Sequence, residues 1–489
     1  MKFQPLEKSI MELQQAMENN EITSLELTKF YLDRIEEYDK KGPKLNSIVT
    51  VNSTAIEDAI KLDEVRKTTG KLSNLHGIPI VIKDNLNTFD MPTTASSILL
   101  ADNKPSYDAF IVNKLREAGA VILAKTNLSE FACHGFTDGT LIGQTLNPYD
   151  LTRTPGGSSG GTGAAVAANF AAGGLGTDTV NSVRSPASAT NLVGFRPSTG
   201  LLSRGGILPV TETQDTAGTL TRSVSDAAIL LDICVGFDQE DKASAEQIKH
   251  VPPSYTNFLK VDGLRNKRLG LLLNIMEMTD AEVNEIMEES IKLMRENGAE
   301  IITIDAPEFE MNRLNKECDV QIYEFKEQLD KYFAQASNCP VPNFQFLVDS
   351  GKLYSAINGF MKKCAEVENP SELEDYKDKL LNIVKNRKTA YSVMAKYELD
   401  AFVYPHQNIL VQHVGLQSQQ GRNGLLASIL GFPAVTVPAG FSKQTDEAPL
   451  GVPVGIEFMA RRWDEPTLFE IAYGFEHLSS SRRLPPTTP

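Results

Sequence analysis

The chain has 489 residues, with 48 Lys and Arg against 63 Asp and Glu, giving a net charge of −15 and an isoelectric point near 5.1. At 41% hydrophobic and 23% charged residues it has a globular balance, and a chain this long buries roughly three quarters of its unfolded surface without covalent staples. An acidic chain with no basic block is a poor nucleic-acid binder, because that affinity rests on Lys and Arg meeting phosphates.

Five scattered cysteines (Cys133, Cys234, Cys318, Cys339, Cys364) show no CxxC spacing, which argues against a disulfide framework or a zinc site. The N-terminus MKFQPLEKSI lacks the apolar core of a signal peptide. Residues 154–177 carry no charge but are too rich in glycine for a membrane span, and read as a buried loop and helix. The expectation is a cytoplasmic protein with no membrane or nucleic-acid partner.

Residues 1–65 read as helical, with Ser24 as N-cap of LELTKFYLDRIEEY. GIPIVIKDN (77–85) is a short β-branched run ending on charge, which suits a buried strand. A helix over Asp108–Ala118, closed by Gly119, leads to the strand AVILAKT (120–126), and this rhythm implies parallel pairing. It recurs with the strand RLGLLL (268–273), an amphipathic helix over Ala281–Asn297 stopped by Gly298, and the strand AEIITID (299–305). Charge-rich helices fill about 310–400. LDAFVYP (399–405), FPAVTVPAGF (432–441) and PVGIEFMA (453–460) then complete the strands. With no clear linker, the chain reads as one α/β domain over 1–489. Its large mixed sheet is covered by helices on both faces, with 310–400 as a helical insertion and 401–489 as the last part of the sheet.

Five of the eight residues Gly156–Gly163 are glycine. Glycine admits positive φ and close backbone approach, so this loop is built to present N–H groups. Phosphate binding is one reading, but neither GxxxxGK[ST] nor GxGxxG is present. A second is a nucleophile elbow, since Gly156–Gly160 satisfies GxSxG; it needs a downstream histidine, for which His406 and His413 are the candidates. The third involves Lys83. A lysine at the end of a buried run loses its hydration, which lowers its pKa and makes it a candidate base near neutral pH.

Lys83 in GIPIVIKDN, Ser158 in PGGSSGGT and Ser182 in GLGTDTVNSVRSPAS, at intervals of 75 and 24 residues, together resemble the amidase signature family of Ser-cisSer-Lys hydrolases. The resemblance extends over nearly the whole chain, through AGAVILAKTNLSEFA, LVGFRPSTGLLSRGGILP, QDTAGTLTRSVSDAAILLD and the C-terminal GFPAVTVPAGF. It implies an amidase in which Ser182 is the nucleophile, Ser158 (after a cis Gly157–Ser158 bond) the proton relay and Lys83 the base.

It also implies an oxyanion hole from the backbone N–H groups of Thr179, Val180, Asn181 and Ser182. Ser159 is expected to support the site by hydrogen bonding and Asp178–Arg184 to form an ion pair beneath the loop, with Asp84 outside the reacting centre. Val180-Asn181 departs from the Gly-Gly of many members. The resemblance implies neither metal nor organic cofactor, a small amide substrate, and a monomer or homodimer. The alternatives are the glutamine-hydrolysing component of a tRNA-dependent amidotransferase and a Ser/His/Asp esterase.

Overall fold

A computed structural model describes residues 3–336, 338–416 and 419–489. Among them are eleven strands: β1 Ile48–Val51, β2 Pro79–Lys83, β3 Val121–Thr126, β4 Gly173–Asp178, β5 Val193–Arg196, β6 Thr216–Thr221, β7 Arg268–Leu272, β8 Glu300–Ile304, β9 Ala401–Pro405, β10 Ala434–Phe441 and β11 Pro453–Ala460. They form one sheet in the order β1-β3-β2-β4-β6-β5-β10-β11-β9-β7-β8. β2 pairs in parallel with β3 and β4, and β7 with β8 and β9; the remaining pairs are antiparallel. Helices cover both faces of this mixed α/β sheet.

The strands foreseen from β-branched runs are present, each within two residues at either end. Four more are present: β4, β5 and β6 lie in stretches with no such run, while β1, the β-branched IVTV, corrects the reading of 1–65 as helical throughout. β4 corrects the reading of 154–177 as loop and helix alone: the helix is Gly160–Ala167, and GGLGTD is a central strand buried on every residue. Its glycines remove the usual strand signal for a packing reason. A Cβ on Gly174 would stand 2.5 Å from Thr162 Cγ2, and one on Gly176 2.6 Å from Ser159 Oγ, so the helix lies directly on the strand.

The helix Ser24–Arg34 is capped by Thr23 rather than Ser24. Thr23 and Glu26 exchange side-chain and backbone bonds in a capping box, while Ser24 Oγ donates to Gly77 O at 2.9 Å, just before β2. The helix Ala281–Glu296 is capped by Asp280 and followed by Gly298 at φ 91°, close to expectation. Between β8 and β9, the described residues of 311–396 hold only helical elements. The five cysteines are free thiols, and among the described residues no helix is long and apolar enough to cross a membrane.

Candidate active site

β2 and β4 run in parallel, so Lys83 and the pair Thr177–Asp178 arrive together at the carboxyl ends of neighbouring strands, where α/β sheets place their ligands. Lys83 is fully buried. Its Nζ donates to Ser158 Oγ at 2.8 Å and to Thr177 Oγ1 at 2.7 Å. Burial pushes its pKa down to about 7, against the opposing charges of Asp178 and Asp215. A buried amine near half-neutralisation at physiological pH can take a proton from a hydroxyl.

Ser158 follows a cis Gly157–Ser158 peptide bond. Its carbonyl accepts from Ser129 N at 3.1 Å, and Ser159 N donates to Ser182 O at 3.1 Å, which pins the glycine-rich loop to the segment carrying Ser182. Of the five glycines in 156–163, only Gly156 has a positive φ, at 75°. The others serve close approach: a Cβ on Gly161 would lie 2.3 Å from Asn127 O, and one on Gly157 2.7 Å from Gly135 C.

Ser182 lies between the end of β4 and the short helix Arg184–Ala189 and is 8% exposed. Among the described residues no hydrogen bond reaches its Oγ, so the lysine–serine leg is formed while the serine–serine leg is open; such bonds commonly tighten only with substrate present. The backbone N–H groups of Thr179, Val180, Asn181 and Ser182 likewise meet no acceptor among the described residues. Val180 is not at positive φ, despite standing where glycine is common.

A buried charge network supports this loop. Asp178 accepts from Val183 N at 3.0 Å and pairs with Arg184 at 3.0 Å and Arg196 at 2.7 Å. Burial would raise its pKa, but the two guanidinium groups outweigh this and hold it well below the carboxylate range. Arg184 also reaches Glu457 on β11 at 2.5 Å, Val180 O at 2.7 Å and Gly424 O at 2.9 Å. Asp178 and Arg184 are therefore a buried pair, not two surface charges. Ser159 Oγ donates to Thr177 O at 3.2 Å.

Asp84 points away from Lys83, to Thr94 and to Lys125 at 3.1 Å. Ser185 Oγ accepts from Gln419, and Ser188 Oγ from Gly455 N. The elbow reading finds no support: Ser158 is bonded to a lysine, His406 Nδ1 lies 2.5 Å from Glu457, and His413 lies on the exposed side beside Thr152.

Two site residues were not singled out from the sequence. Thr177 accepts from both Lys83 and Asn85, at 2.7 and 3.1 Å. Asp215 accepts from Thr179 Oγ1 at 2.7 Å and from Val210 N at 2.8 Å, fixing the outer edge of the loop. Both line a cavity of about 1350 Å³ that Asn85, Thr179, Leu208 and Tyr332 also border. Each stands inside one of the family-like motifs, but neither carries a pattern that spacing alone can expose.

A half-neutral buried lysine bonded to one serine, beside a second serine among free backbone donors, defines a serine amidohydrolase class of site on an α/β sheet. A family model described as Amidase matches residues 26–469. The chain belongs to this family, the amidase signature enzymes, and is an amide C–N hydrolase.

The chain is 33% identical to the A subunit of the glutamyl-tRNA(Gln) amidotransferase of Thermoanaerobacter pseudethanolicus, over 98% of this chain and 97% of that one. It is also 33% identical to a probable amidase of Arabidopsis thaliana, over 99% and 92%. Among solved structures, peptide amidase from Stenotrophomonas maltophilia superposes with a TM-score of 0.89 at 32% identity, covering 99% of both chains. The corresponding amidotransferase component of Thermotoga maritima gives 0.76 at 26%, over 98% and 97%.

Proposed function

We propose that this enzyme is a free-standing amidase that hydrolyses the primary carboxamide of small, peptide-like substrates through an acyl-enzyme on Ser182. Ser182 Oγ attacks the amide carbonyl as its proton passes to Ser158 Oγ and the Ser158 proton to Lys83 Nζ. The resulting ammonium returns the proton along the same path to the departing nitrogen, which leaves as ammonia, and water then cleaves the ester by the same relay. The N–H groups of Thr179, Val180, Asn181 and Ser182 stabilise the tetrahedral oxyanion, a contribution of ~10²–10³ in rate per donor.

The observation that carries this reading is the 2.8 Å bond from Lys83 Nζ to Ser158 Oγ, made by a lysine whose pKa burial lowers to about 7. The peptide-amide substrate class is supported by the 0.89 superposition on peptide amidase. Action as a single domain over 1–489, as a monomer or homodimer in the cytoplasm, belongs to the same reading. The likeness to the glutamyl-tRNA(Gln) amidotransferase component favours a second reading, glutamine hydrolysis feeding ammonia to a partner.

The test is ammonia release from C-terminally amidated dipeptides by the purified chain alone. Activity lost in Ser182→Ala and Lys83→Ala is expected. Activity only with glutamine and a copurifying partner chain would move the function to the second reading.

A further inference from the structure

Most interior arginines are held by carboxylates or carbonyls. Arg184 and Arg196 meet Asp178, Arg34 donates to Ala168 O and Thr488 O, and Arg222 to Val166 O and Ala171 O. Arg422 differs. Among the described residues its guanidinium makes one hydrogen bond, a long one from Nη1 to Asn181 Oδ1 at 3.5 Å, and no carboxylate lies within ion-pair distance. Burial pushes its pKa down, with Asp319 the only charge that opposes this.

The backbone around Arg422 is firmly held. Asn423 N donates to His406 O at 3.0 Å and Asn408 N to Gly421 O at 2.7 Å, while Asn423 Nδ2 reaches Pro405 O at 2.8 Å. The fold thus fixes the residue, and no carboxylate among the described residues pairs with its partly exposed head. Asn181 Nδ2, one residue before the proposed nucleophile, is fully buried with no partner. Protein donors therefore outnumber protein acceptors at this point, and leaving the buried Asn181 amide without a partner is costly unless a ligand provides one.

We infer that Arg422 and Asn181 form a subsite for a carboxylate on the substrate, so that the preferred substrates are primary amides whose acyl part carries an acidic side chain, such as the α-amide of an N-acylated glutamate. Three facts fit this. The unmet groups, guanidinium N–H and amide N–H₂, are all donors, and a carboxylate is all acceptor. The guanidinium fork suits planar, bidentate recognition of carboxylate. Asn181 connects the subsite to Ser182 through one peptide bond, so a carboxylate held there is held beside the reacting carbon.

Asp319 is the charged group nearest to Arg422 in its effect. It is anchored by Gln321 N and Nε2 at 3.1 and 3.0 Å, and burial raises its pKa against Gln321, Lys379 and Arg422. Held by both Gln321 bonds, Asp319 makes no ion pair with the guanidinium. The inference rests on the hydrolytic reading above and deepens it.

The experiment compares N-acetylglutamate α-amide with N-acetylmethionine amide, a neutral side chain of similar length, by kcat/KM in the intact enzyme, in Arg422→Gln and in Arg422→Lys. The expected result is a preference of at least about tenfold for the acidic amide, expressed mainly in KM. Arg422→Gln should abolish it and Arg422→Lys partly keep it, with fluorophosphonate labelling of Ser182 reporting that each variant is folded. Equal kcat/KM for the two amides in the intact enzyme, or an Arg422→Gln loss identical for both, overturns the inference.

If the intact enzyme hydrolyses neither amide, the catalytic reading fails for this substrate class, and calorimetric binding of N-acetylglutamate decides the subsite separately. Binding weakened at least about tenfold in Arg422→Gln supports it, and no binding to the intact enzyme refutes it. If Arg422→Gln does not fold, a tenfold tighter binding of N-acetylglutamate than of N-acetylmethionine by the intact enzyme supports the subsite, and equal affinities refute it.

Discussion

Replacing Arg184 with methionine removes the hub beneath the oxyanion loop. Its guanidinium is fully buried and joins Asp178 through two nitrogens at 3.0 and 3.1 Å, Glu457 at 2.5 Å and the carbonyls of Val180 and Gly424. Removing one partner of a buried ion pair costs ~3–5 kcal/mol, because the other charge stays behind uncompensated. Two carboxylates are left here, but neither is bare. Asp178 keeps Arg196 at 2.7 Å, and Glu457 keeps His406, with Tyr404 Oη donating at 2.9 Å. That places the expected loss near the lower bound, about 3 kcal/mol.

Equilibrium urea unfolding followed by circular dichroism measures the loss, and labelling of Ser182 in the folded fraction reports the loop. Arg184→Lys should recover only part of the stability, since one ammonium cannot reach both carboxylates and two carbonyls as a planar fork does. Adding Glu457→Gln to Arg184→Met should return some of it by removing one stranded charge. A loss below about 1 kcal/mol in Arg184→Met, with unchanged labelling, would refute the claim that this network holds the loop.

The pH–rate profile should rise through about pH 7, because Lys83 must shed its proton to act and burial has lowered its pKa to that value. Thr177→Val removes an acceptor that favours the charged form, so the rising limb should shift below pH 7 while kcat falls at least tenfold; an unmoved limb would contradict the role of the 2.7 Å bond. Gly176→Ala should destabilise by ~1–3 kcal/mol through a Cβ 2.6 Å from Ser159 Oγ, read as a shift of the urea midpoint. Asp226 is buried with its pKa raised to about 6, burial being the largest cause. The folded state therefore binds more protons than the unfolded state between about pH 4 and 6, and stability falls as pH rises across that window. Asp226→Asn should raise the thermal midpoint at pH 8 and flatten that slope; a lower midpoint at pH 8 would count against it.

The legible parts of the sequence were those whose chemistry shows in local pattern. β2 and β3 are runs of buried β-branched residues ending on lysine or threonine, and the helix Ala281–Glu296 alternates its faces at helical spacing. Lys83, Ser158 and Ser182 could be picked out from three motifs in order. β4 was missed because GGLGTD replaces side chains with close helix–strand contact, which leaves no periodicity to read. Thr177 and Asp215 were missed because their partners lie far off in the chain: 94 residues separate Thr177 from Lys83, and 36 separate Asp215 from Thr179. The cap at Thr23 was displaced by one residue because Ser24 is equally good capping chemistry, and only the position of Glu26 separates the two.

Intact-mass spectrometry after treatment with a fluorophosphonate tests the account most directly. The expected result is a single covalent adduct on the wild-type chain, mapped to Ser182 by peptide analysis, absent in Ser182→Ala and slowed by orders of magnitude in Lys83→Ala. An adduct mapped to Ser158, persisting in Ser182→Ala, would contradict the assignment of nucleophile and relay.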